Sequence, residues 1–80
     1  MKQQNSEISD CIRKTLDRYF TDLDGARPRA IYDMVIKNVE KPLLEAVLTQ
    51  ADGNQTIAAE MLGINRNTLR KKMAQHKIKL

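Results

Sequence analysis

Tryptophan is absent from the sequence, and cysteine and histidine occur once each, as Cys11 and His76. A single cysteine closes no intramolecular disulfide, and with one distant histidine it offers no metal-ligating cluster. Cys11 is therefore expected to be a small packed residue. No carboxylate pair is spaced across a predicted cleft, so the usual side chains of acid–base, nucleophilic and metal chemistry are missing, and neither an enzyme nor a cofactor is expected. Long apolar runs are missing as well. Nothing approaches the roughly 20 residues of a membrane span, and Lys2, Gln3, Gln4 and Asn5 follow Met1 where a signal peptide would turn apolar. A soluble, cytoplasmic protein is expected. With Tyr19, Phe20 and Tyr32 as its aromatics, the chain must build a mostly aliphatic core.

Acidic residues are also absent, but from one region. Residues 1 to 60 hold eight Lys/Arg against ten Asp/Glu, whereas residues 61 to 80 hold six Lys/Arg and no acid. The net charge of +4 is thus concentrated at one end, as in a solvated tail, a membrane-surface patch or a nucleic-acid footprint. Eighty residues suffice for a single domain, 1–80. So short a chain buries only about 60 to 65% of its unfolded surface, and self-association is expected to add to that burial.

The apolar residues that are present fall at helical spacing. Ile8, Ile12, Leu16, Phe20 and Leu23 recur every three or four positions, flanked by Cys11 and Tyr19, and predict a first helix over roughly 7 to 23. Ser6 is its expected N-cap, and Gly25 can take a left-handed position after its end. Pro28 suits a first helical turn. After it Ile31, Met34, Val35, Val39, Leu43, Val47 and Leu48 continue a second, long helix to about residue 51. Pro42 lies inside that helix, where it removes an amide that would bond the carbonyl of Asn38; because periodicity resumes at Leu43, a kink is expected and not a stop. Gly53 is the expected breaker. Two shorter helices fit the rest, one from about Gln55 to Leu62 after a cap at Asn54, the other from about Arg66 to Gln75 after a cap at Asn65. The first six residues and the last four are expected to be loosely held. The fold class is all-α, with a four-helix protomer.

The last two helices have the logic of a helix-turn-helix over 54–76. Ala59 is small where two helices cross closely, Gly63 can adopt the positive φ of a tight turn, and Ala58, Leu62, Ile64 and Leu69 are apolar where the pair meets the body. On a helical wheel Leu69 and Met73 point inward, Asn67 and Lys71 outward, with Arg66 and Arg70 on one flank and Thr68 and Lys72 on the other. Arginine can pair bidentately with guanine and asparagine with adenine in the major groove, while lysine, threonine and helix-terminal amides suit phosphates.

Gly53-Asn54-Gln55-Thr56, Met61 to Arg66 and Thr68 to Lys72 together resemble the C-terminal module of the Fis family, named for the factor for inversion stimulation. The resemblance extends upstream through Tyr19-Phe20, Leu23-Asp24-Gly25, Ile31-Tyr32 and Val39 to Leu44, and covers roughly residues 10 to 78. It implies a nucleoid-associated transcriptional regulator whose first two helices, over 7–51, intertwine with a partner's to form a homodimer core. Two helix-turn-helix units then meet double-stranded DNA in the major groove at two half-sites, and the duplex bends. By position the resemblance puts groove reading on Asn65, Arg66 and Arg70, and backbone contact on Asn54, Gln55, Thr56, Thr68, Lys71 and Lys72. It also implies a degenerate site with guanine and cytosine near its ends and an A/T-rich centre. The chain departs from the family in two ways. Few residues precede the first helix, where better-known members carry a β-hairpin arm, which argues against invertase stimulation. Ala74 and Gln75 replace basic residues, which should lower the salt slope of binding.

Two other readings compete. The DNA-binding tail of enhancer-dependent activators resembles the same motif but follows an ATPase domain; a chain that begins with Met1 and has no P-loop is expected to stand alone. A helical adaptor docking protein or RNA could also carry a basic end. Competition between duplex DNA and single-stranded RNA separates that reading from the first.

Overall fold

A computed structural model describes residues 2–79, with side chains described over 7–79. Four helices follow one another: α1 (Lys2–Asp22), α2 (Ile31–Gln50), α3 (Gln55–Leu62) and α4 (Arg66–Gln75). No strand occurs among the described residues, and the all-α fold class stands. The chain divides into two compact units, Met1–Ala30 and Ile31–Leu80.

In the first unit α1 starts at Lys2, about a turn and a half earlier than expected, so Ser6 lies within the helix instead of capping it. Lysine and glutamine are good helix formers, which favours this extension. The side chains of the first six residues, expected to be loosely held, lie outside the described ones. Ile12, Leu16, Tyr19 and Leu23 are half-buried at helical spacing, while Ile8 and Phe20 stay exposed. Cys11 is exposed, contrary to the expectation that it is packed. The reason is that, among the described residues, none of the buried hydrophobic ones belongs to α1, so a residue on the flank of its stripe has no core to enter. Asp24 (φ 52°) and Gly25 (φ 85°) close the helix together. Pro28 stands three residues before α2 and not in its first turn, because Ala30 is left-handed (φ 53°) and interrupts any helical path from the proline.

In the second unit α2 runs unbroken through Pro42. Its C-terminal half supplies Leu44 and Leu48, with Ala51 just beyond its end, to a core completed by Ala58 and Ala59 of α3, Leu69 and Met73 of α4, and Ile78. Val47, Leu62 and Ile64 pack against this cluster. Leu43 is exposed, while its equally apolar neighbour Leu44 is buried. The helix carries two apolar stripes. One, of Leu44, Val47 and Leu48, meets α3 and α4; the other, of Tyr32, Ile36, Val39 and Leu43, faces outward.

Three of the helices end in the same way. The amide of Gly53 bonds the carbonyl of Leu48 (2.8 Å), that of Ile64 bonds Ala59 (3.1 Å) and that of Ile78 bonds Met73 (2.9 Å). In each, the preceding residue is left-handed and bonds one residue further on: Asp52 to Thr49, Gly63 to Glu60 and Lys77 to Ala74. This is the Schellman arrangement, which satisfies end carbonyls and turns the chain sharply. After α2 the decisive left-handed residue is thus Asp52, with Gly53 (φ 77°) following it. After α4 the same turn drives Ile78 into the core, so the last residues are anchored and not loosely held as expected, with Leu80 outside the described residues.

Candidate nucleic-acid interface

The turn between α3 and α4 is built locally. Gly63 (φ 76°) ends α3 where an L side chain would be strained, and Asn65 opens α4 by accepting the Asn67 amide on its Oδ1 at 2.7 Å. Asn54 does the same for α3, accepting the Ile57 amide at 3.1 Å. Both caps are as the sequence predicts. No acidic residue occupies the first turn of either helix, so neither helix places a carboxylate of its own at the positive end of its dipole.

Leu69 is fully buried and Met73 nearly so, which fixes the rotation of α4 about its axis. Arg66, Asn67, Thr68, Arg70 and Lys71 consequently lie exposed. Among the expected site residues, Asn54, Thr56 and Asn65 are exposed too, and Gln55 is half-buried. The structure joins two of them: Arg66 Nη1 donates to Thr56 Oγ1 at 3.4 Å, linking the first turns of α4 and α3. Since each capping asparagine has its Oδ1 engaged, its Nδ2 hydrogens are what remain for an acceptor on a ligand.

Lys72 is placed differently. Its Nζ donates to Glu40 Oε2 at 2.7 Å, and His76 Nε2 lies 2.9 Å from the other carboxylate oxygen. Side-chain exposures of 33% for Lys72, 18% for Glu40 and 8% for His76 show that this group is partly shielded from solvent. The hydrogen bond from Lys72, then that with His76, hold the Glu40 carboxyl below its usual value of 4.5, against an opposing effect of burial. Neither Glu40 nor His76 is among the sequence-predicted site residues. The only sequence signal was the i, i+4 spacing of Lys72 and His76 on one helix face.

Among the described residues no three His, Cys, Asp or Glu side chains gather where they could hold a metal ion. No described helix is long and apolar enough to cross a membrane. What unit 2 presents is a rigid helix pair with a cationic and amide-bearing outer arc. Residues 35–76 match the family described as bacterial regulatory protein, Fis family. A protein of Neisseria meningitidis serogroup A is 59% identical over 70 residues, covering 88% of this chain and 89% of its own length. One of Ralstonia nicotianae is 58% identical, covering 86% and 90%, and one of Pseudomonas aeruginosa 46% identical, covering 92% and 71%. All three are named as Fis-like DNA-binding proteins.

Proposed function

The chain belongs to the Fis family of bacterial regulatory proteins, and on that premise we propose that it binds and bends double-stranded DNA as a homodimer, acting as a nucleoid-associated transcriptional regulator. The observation that carries the reading is the exposed arc of Arg66, Asn67, Thr68, Arg70 and Lys71 on a helix whose opposite face is locked by Leu69 and Met73. A helix so held can enter a major groove as a rigid body. Arg66 and Arg70 read base edges together with Asn65, through its free Nδ2 hydrogens. Asn54, Gln55, Thr56, Thr68 and Lys71 hold the phosphate backbone, aided by the two helix N-termini.

The homodimer is supported by the outward stripe of α2. Tyr32 is 77% exposed, Leu43 48%, Val39 40% and Ile36 37%, at the spacing of a continuous helical seam. Water is a poor neighbour for such a stripe, and a second copy of the same helix matches it in length and character.

The test compares Arg66→Ala with Lys71→Ala on a preferred duplex and on a scrambled one, each at several salt concentrations. Arg66→Ala should lose roughly 1 to 3 kcal/mol on the preferred duplex and much less on the scrambled one. Lys71→Ala should weaken both by similar factors and lower the salt slope. Equal loss on both duplexes for Arg66→Ala would remove it from base reading.

A further inference from the structure

Glu40 reaches from the middle of α2 to the last turns of α4 and bonds two side chains there, Lys72 through Oε2 and His76 through Oε1. The contact is shielded, with both carboxylate oxygens engaged, and salt screens such a pair much less than an exposed one. Among the described residues Arg66, Arg70 and Lys71 form no ion pair. The cations of α4 are therefore of two kinds, three free and one already neutralised.

We propose that Glu40 is a positioning residue for α4 that withholds Lys72 from DNA phosphate, so that a phosphate must compete with a carboxylate for that ammonium. The inference rests on the reading of this unit as a duplex-DNA binder. Binding to random DNA is driven by the release of counterions from the phosphates that protein cations neutralise, and it scales with the number of those cations. A lysine that stays on its carboxylate brings no net charge and contributes nothing to that number. Base reading by Arg66 and Arg70 is untouched by the pairing, so Glu40 lowers affinity for random duplex relative to a preferred one. The bond with His76 holds the carboxylate in place while Lys72 is bound.

The experiment measures binding of the full chain to a random-sequence duplex between 50 and 200 mM salt, for the native protein, Glu40→Gln and the Glu40→Gln, Lys72→Gln double variant. Glu40→Gln should steepen the salt slope by about 0.9 per half-site engaged, which widens the affinity span over that range about 3.5-fold per half-site. In the Glu40→Gln background Lys72→Gln should abolish the gain and return the slope to the native value. A slope in the double variant lower than the native one by about 0.9 per half-site overturns the proposal, because Lys72 would then neutralise phosphate despite Glu40. The double variant leaves neither member of the pair as an unpaired charge and stays decisive if Glu40→Gln alone does not fold. A folded Glu40→Gln protein with the native slope overturns it too, leaving Glu40 a purely structural contact. A native protein that binds no duplex removes the DNA reading itself, whereas native binding with either adverse slope removes this inference alone.

Discussion

Replacing Gly63 by alanine isolates a single physical cost. Gly63 has φ 76°, and a Cβ built there meets nothing within 4 Å. No clash contributes, so the loss comes from placing an L residue in the left-handed region, about 1 to 2 kcal/mol. For a domain of this size each kcal/mol lowers Tm by roughly 4 to 8 °C, giving an expected drop of about 4 to 16 °C. Gly63→Asn should recover part of it, since asparagine tolerates that conformation better than alanine. Thermal melts followed by circular dichroism at one fixed protein concentration provide the assay, as association makes Tm depend on concentration. Well below both transitions Gly63→Ala should bind random duplex with native affinity, because no side chain facing DNA has changed. A loss well above about 3 kcal/mol, or an asparagine variant no better than alanine, would refute the argument that backbone conformation alone selects glycine here.

Three further outcomes are expected. Leu69→Ala empties a fully buried position between α4 and the rest of its unit and should cost about 2 to 5 kcal/mol in urea unfolding; a loss under about 1 kcal/mol would show that the core does not depend on it. The Glu40 carboxyl lies below its usual 4.5 in the folded chain, so its contribution is fully present above that pH and is lost as pH falls from 4.5 through the folded value. The stability difference between the native chain and Glu40→Gln should accordingly shrink below pH 4.5, and a difference that widens there contradicts the pairing. Leu43→Lys places a charge in the outward stripe of α2 and should shift sedimentation toward monomer at micromolar concentration, whereas an unchanged dimer would move the interface elsewhere.

The helix-turn-helix was legible because its signals are local. A cap sits beside the helix it caps, as at Asn54 and Asn65, and Gly63 and Ala59 announce a turn and a close crossing within a few residues. Features that depend on which elements meet were not legible. Leu43 and Leu44 are equally apolar neighbours, and only the position of α3 and α4 decides that Leu44 is buried. Glu40 is separated from Lys72 by 32 residues and from His76 by 36, so nothing near it in sequence identifies its partners. Ile78, flanked by Lys77 and Lys79, reads as part of a polar tail until the turn at Lys77 carries it inward. The exposed polar arc of α4 followed from the wheel, but the neutralisation of Lys72 within it did not.

The connections of the second unit are short, residues 51–54 between α2 and α3 and residues 63–65 between α3 and α4. Contacts between helices joined this closely require little loop closure, and helical folds of such topology form in microseconds to milliseconds. Association of two copies, as proposed above, would be a second-order event that takes milliseconds to minutes and slows with dilution. The two steps therefore separate in time. On the proposal that two copies pair, a newly synthesised chain would complete its α2–α4 unit before it encounters a second copy, and at low abundance the encounter rate, not folding, would govern how soon the paired form appears.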